Sequence, residues 1–183
     1  MMMRRSTRKM LFAGIRDALI AVALLALLLQ FFAPMVVIGH SMQPGIQDND
    51  ILYIARRAYW FSEPQYGDLV VFDVQTKDES GQVVKEKNLV KRVIGLPGDT
   101  ISVKNGKVYR NGEALNEPYL MSGTTPGTMA ALTVPADTIF VLGDNREVSN
   151  DSRNPALGPI AQSSLKGKII FRMFPLDHIG SVS

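Results

Sequence analysis

The chain has 183 residues, 46% of them hydrophobic and 20% charged, with no cysteine, two histidines and a formal charge of +3. That length holds one well-cored domain with an appendage and falls short of two ordinary domains. The absence of cysteine excludes a disulfide framework, a Cys-ligated zinc or iron–sulfur centre and a thiol nucleophile, and His40 with His178 cannot make a three-histidine metal site.

The charge is concentrated at the start. Residues 1–17 carry Arg4, Arg5, Arg8, Lys9 and Arg16 against Asp17, a net +4, which leaves −1 for the rest of the chain. Nucleic-acid binding needs a basic stripe across the folded domain, so none is expected here. Directly after the tail, residues 18–33 are apolar apart from Gln30. Sixteen residues at about 1.5 Å each make a helix of about 24 Å, short of a hydrocarbon core of about 30 Å. Residues 10–15 complete the span if Arg16 and Asp17 pair or snorkel. Basic residues on the leading side alone predict a membrane anchor at 18–34 with its tail, residues 1–17, in the cytoplasm. A cleavable leader would end in small residues, whereas Gln30, Phe31 and Phe32 are bulky. Pro34 is expected to end the helix, so that an extracytoplasmic domain, residues 35–183, begins near the membrane surface.

From there the pattern is one of short strands, at 35–38, 50–55, 68–73, 89–96, 100–104, 107–110, 138–142 and 168–174, which predicts a mostly β domain. Asn105-Gly106 signals a tight hairpin, and Pro97-Gly98 the centre of a type II turn. The charged stretch 76–88 reads as an exposed hairpin or flexible loop, and 116–137, rich in Pro and Gly, as an irregular excursion from the sheet.

Three segments carry residues able to do chemistry. Ser41 lies at a strand-to-turn junction in G-H-S-M-Q-P, where a hydroxyl can be exposed beside backbone N–H groups; a plain turn serine fits equally. Lys91 lies in L-V-K-R-V-I-G, where alternation puts it on one face with Leu89 and Val93, and Val90, Arg92 and Ile94 on the other. Burial there would lower its pKa and free a neutral amine as a base, the alternative being a lysine that snorkels to water. The polar loop 143–153 can hold an Asp151–Arg153 ion pair and a serine that orients a buried amine, or be a solvated turn. Together they suggest Ser41 as nucleophile and Lys91 as base. A Ser-His-Asp triad lacks supplies, because His40 adjoins Ser41 and His178 is near the terminus, and Ser41 has no G-x-S-x-G elbow.

At these residues the chain resembles the type I signal peptidase (leader peptidase) family, through S-M-x-P at 41–44, G-D-L-V-V-F at 67–72, K-R-V-I-G-x-P-G-D at 91–99 and G-D-N-R…S-x-D-S-R at 143–153. The resemblance implies a membrane-bound serine endopeptidase that removes signal peptides after small residues in an A-x-A context through an acyl-enzyme. Its fold would be an antiparallel β domain of two coiled sheets behind one N-terminal transmembrane helix. By resemblance, Ser41 is the nucleophile, Lys91 the base and Ser149 the serine that orients the lysine. Asp144, Arg146, Asp151 and Arg153, with Arg92, match the family's polar cluster, and Met35, Val37, Met42, Ile46, Leu89 and Val90 the shallow substrate pockets. No metal or other cofactor is implied. The implied partners are exported preproteins, the lipid bilayer of the inner or plasma membrane and the secretion translocon. Two positions depart from the pattern. Gly45 replaces the threonine usual after S-M-x-P, and Gly39 excludes a side-chain oxyanion donor at that place. A conjugative-transfer maturation peptidase with a narrow substrate, and an inactive membrane-anchored homologue acting as a binding module, are the competing expectations; the second predicts the loss of Ser41, Lys91 or Ser149, and all three are present.

Overall fold

A computed structural model describes residues 5–77 and 82–182. The apolar run extends without a breaker into the basic tail, and it forms one helix, α1, Arg5–Phe31. Its segment Lys9–Phe31, 23 residues with a mean hydropathy of 2.2, is long and apolar enough to cross a membrane. At about 1.5 Å per residue it reaches about 34 Å. Within it Arg16 donates to Asp17 at 2.8 Å, so the two charges are paired.

The helix stops at Phe31 and the chain passes straight into strand β1, Phe32–Val36. Pro34, expected to end the helix, sits instead within that strand, opposite Tyr53. The placement is permitted because β1 is at the edge of its sheet, where a missing N–H removes no ladder bond. The strand expected at 35–38 is thus shifted toward α1, and Ile38 projects freely into solvent.

Among the described residues the strands form two antiparallel sheets. The larger has the order β1-β2-β11-β3-β4-β9-β10, with β2 Ile51–Ala55, β3 Leu69–Lys77, β4 Val83–Gly95, β9 Thr138–Leu142, β10 Ile160–Ala161 and β11 Leu165–Phe174. The smaller has the order β7-β6-β5-β8, with β5 Thr100–Lys104, β6 Lys107–Arg110, β7 Glu113–Ala114 and β8 Met129–Thr133. The β5–β6 turn has Asn105 and Gly106 at φ 52° and 73°, the left-handed pair that a type I′ hairpin needs.

Of the two stretches outside the regular strand pattern, the first follows the expected hairpin and the second departs from expectation. The charged segment 76–88 supplies the outer arms of the β3–β4 hairpin, pairing Lys77 with Val83, while 78–81 lie outside the described residues. Backbone pairing needs no apolar face, so charge alone does not break a strand. The excursion at 116–137 contains β8, which pairs with β5 far from it in sequence; MAALT lacks the alternation that marks a strand locally.

The core follows the two-residue period of β3. Leu69 and Val71 point to one cluster with Val37, Met42, Ile46 and Val90; Val70 and Phe72 point to another with Val93, Ile139 and Val141. The first cluster underlies Ser41, because Met42 and Ile46 anchor the segment that carries it.

Candidate active site

Ser41 and Lys91, 50 residues apart, meet. The Lys91 Nζ donates to Ser41 Oγ at 2.8 Å and to the Val90 carbonyl at 3.1 Å. Lys91 is 2% exposed. Burial pulls its amine from 10.5 down to about 8, against Asp151, Glu86 and Asp144, whose carboxylates act in the opposite sense. His40 turns away and shares a hydrogen bond with the Gln43 side chain.

The segment bearing Ser41 is held by the polar loop. Asn145 donates from its backbone N–H to the Ser41 carbonyl at 3.0 Å and from its Nδ2 to the His40 carbonyl at 3.1 Å. The Ser41 N–H has no hydrogen-bond partner among the described residues and is free to face an oxyanion. Gly39 has φ 109°, a conformation that favours glycine, and its N–H is taken by Asp48.

Loop 143–153 is itself braced by buried charges. Arg92, beside Lys91 in sequence, makes a two-pronged bond to Asp144 at 2.8 and 2.7 Å and stacks over the Tyr119 ring at 4.1 Å. Arg146 donates to the Gly143 carbonyl at 2.9 Å and pairs with Glu117 at 2.5 Å, with Thr125 as a further acceptor. Asp151 accepts from the Gly143 N–H and pairs with Arg153 at 2.8 Å. Buried ion pairs contribute little net stability when intact, but breaking one leaves an uncompensated charge. Arg92→Met or Asp144→Ala alone is therefore expected to destabilise the fold by about 3–5 kcal/mol, read as a lower melting temperature, and the double replacement by less than the sum.

Ser149 lies in this loop with its Oγ buried and without a hydrogen-bond partner among the described residues. It packs against Gly143, which has no room for a side chain, since a Cβ there would overlap the Ser149 Oγ and stand 2.5 Å from the Ser41 carbonyl. Gly45 is different: a Cβ would sit 3.8 Å from Asp144 Oδ2, an ordinary contact, so the absent threonine leaves space rather than strain.

A cavity of about 140 Å³ opens beside Ser41, lined by Val36, Val37, Met42, Leu89 and Val90 among others. Of the six expected pocket residues, Val37, Met42, Leu89 and Val90 face it. Met35 lines a neighbouring cavity with Ala33, Pro34 and Arg56. Ile46 is buried in the core beneath Met42.

Residues 12–174 match the family model for signal peptidase, peptidase S26. The chain belongs to the signal peptidase family, peptidase S26. It is accordingly a serine endopeptidase of signal-peptide processing. The peptidase is 38% identical over 167 residues to a probable signal peptidase I-1 of Synechocystis sp., covering 90% of this chain and 84% of that one. It is 36% identical over 187 residues to a signal peptidase I of Bacillus licheniformis, covering 96% of each, and 36% identical over 171 residues to one of Bacillus amyloliquefaciens, covering 88% and 86%. A solved signal peptidase I from Enterococcus faecalis V583 shares 34% identity, with a TM-score of 0.44, over 58% of this chain and 97% of the other.

The boxes that carry this likeness contain Gly143 and Asn145, whose contacts to the Ser41 segment the residue types did not announce. Glu117, Tyr119 and Thr125 carried no local signal, because each meets its arginine across a long loop.

Proposed function

We propose that the peptidase is a membrane-bound signal peptidase I, held by α1 with its basic N-terminal end in the cytoplasm, Lys9–Phe31 across the bilayer and the domain from Phe32 onward outside. In this reading Ser41 and Lys91 form a catalytic dyad that cuts preproteins after a small residue. The observation that supports it most is the 2.8 Å approach of Lys91 Nζ to Ser41 Oγ, with an amine at about 8.

Neutral Lys91 takes the Ser41 proton as the oxygen attacks the scissile carbonyl, and the Ser41 N–H faces the developing oxyanion. Lys91 then protonates the departing amine, leaving an acyl-enzyme, and finally activates the water that releases it. Ser149 Oγ makes no hydrogen bond to Lys91 in this structure; as a buried hydroxyl with unused hydrogen-bonding capacity near the Ser41 carbonyl it is available to orient the amine during the reaction. Asp144, Arg146, Asp151 and Arg153, with Arg92, hold the loop that presents it.

Specificity for small side chains is supported by the size of the cavity. At about 140 Å³ it is well under the roughly 300–1,000 Å³ of drug-sized sites. The expected test is a preprotein with an A-x-A site. Replacing either alanine by leucine should lower kcat/KM by at least about 100-fold, as the scissile bond is displaced from Ser41. Equal cleavage of the leucine substrates would remove the pocket from the mechanism.

A further inference from the structure

Strand β11 pairs with β3 only as far as Lys168, and from there it runs on beside β2 with its other edge open. The chain end fills that edge. Residues 176–178 make a short helical turn, after which the Arg172 N–H donates to the Gly180 carbonyl at 2.7 Å and the Gly180 N–H to the Arg172 carbonyl at 3.2 Å. Arg172 is thus held by its backbone on both sides, opposite Leu52 on one and Gly180 on the other. Its guanidinium reaches the turn that follows Ser41: Nη2 donates to the Gly45 carbonyl, and Nε stands 3.3 Å from Asp50 Oδ2. Asp50 is 2% exposed, and with the same oxygen it accepts the Gln47 N–H at 2.9 Å.

The segment 42–50 contains no strand or helix, so its place is set by whatever satisfies its carbonyls and N–H groups. Asn145 holds the residue before it through the Ser41 carbonyl, and Met42 and Ile46 hold it from below. Residue 45 is glycine and has no side chain with which to fix itself. The arginine supplies that hold through the backbone. A guanidinium suits the task because its fork serves a carboxylate and a carbonyl together, and a charged donor bonds about twice as strongly as a neutral one.

We propose that Arg172, with Asp50 behind it, is a positioning residue for catalysis, holding the Gly45 carbonyl so that the turn presents Ser41 to the scissile bond. The proposal rests on the reading of Ser41 as nucleophile. Val36, Val37, Leu89 and Val90, which line the cavity beside Ser41, lie outside the turn that Arg172 holds. Loss of the guanidinium therefore displaces the nucleophile and leaves most of the binding surface in place.

Rates are taken on the full chain in detergent micelles, well below each variant's own melting temperature, so that unfolding does not enter. Arg172→Met is expected to lower kcat by at least about 10-fold and to change KM by less than about twofold. Arg172→Lys, a single point charge facing two acceptors, should recover part of the loss. The guanidinium lies against a cavity of about 360 Å³ lined by Pro44, Gln47 and Ile179 among others, so in Arg172→Ala added guanidinium ion should restore kcat where sodium ion does not. If Arg172→Met does not fold, Arg172→Lys carries the reading, with an intermediate kcat at unchanged KM expected. A variant that melts lower yet keeps the parent kcat makes Arg172 structural only and overturns the proposal. So does a loss that falls on KM alone, or one that neither lysine nor guanidinium relieves. Full cleavage by Ser41→Ala overturns the nucleophile reading and this proposal with it, whereas an inactive Ser41→Ala beside a fully active Arg172→Met overturns this proposal alone.

Discussion

Ser41→Ala is expected to reduce preprotein cleavage to background, and Lys91→Ala to lower kcat by about 10²–10⁴-fold, the usual contribution of a positioned acid–base group. Because the two act on one proton, Ser41→Ala/Lys91→Ala should be no slower than Ser41→Ala alone. Substantial cleavage by the serine variant would exclude Ser41 as nucleophile. The pH dependence follows from the amine at about 8: kcat/KM should rise with pH and level off near that value, since protonated Lys91 cannot accept the Ser41 proton. The same burial carries a cost in stability with a definite sign. In the unfolded chain the amine titrates near 10.5, so between about 8 and 10.5 the unfolded state holds more protons and stability rises with pH. The cost, about 3 kcal/mol, is fully present below pH 8 and disappears above 10.5. Lys91→Met, which removes the buried charge, should therefore be inactive yet raise the melting temperature at neutral pH, and a lower one would contradict the assigned burial.

Gly143→Ala carries the second large effect, for a reason of space alone. The added methyl would overlap the Ser149 hydroxyl and press on the Ser41 carbonyl, so either the loop or the nucleophile segment has to move. A displacement of about 1 Å at reacting atoms costs about 10²-fold, and kcat is expected to fall by at least that much. Gly45→Ala, in the same segment but with contacts of 3.8 Å, should have a far smaller effect. Circular dichroism and the melting temperature separate misplacement from unfolding. A Gly143→Ala enzyme of normal kcat would mean that the Ser149–Gly143–Ser41 packing does not position the nucleophile.

Much of the site was legible because its parts are local. Ser41, Lys91 and the loop 143–153 each lie in a short run whose residue types suit a task. The strand faces followed from alternation, as for Leu89 and Val93 against one cluster and Val90 against another. What was not legible depends on distant partners. Glu117 reaches Arg146 across 29 residues, and β8 exists because β5 offers it a ladder. Pro34 read as a helix stop, since its tolerance in β1 depends on that strand being an edge, which sheet order alone determines.

By itself the sequence determined the supply of chemistry and its address: serine and lysine in place of cysteine and histidine, behind an apolar helix with a basic leader. Only the tertiary structure decided that Lys91 loses its water and comes within 2.8 Å of Ser41, that Gly143 is wedged against both serines, and that Arg172 reaches back to the Gly45 carbonyl. The reason is physical. A side chain's identity is local, whereas its solvation, and with it the pKa and reactivity of an amine, belongs to everything packed around it.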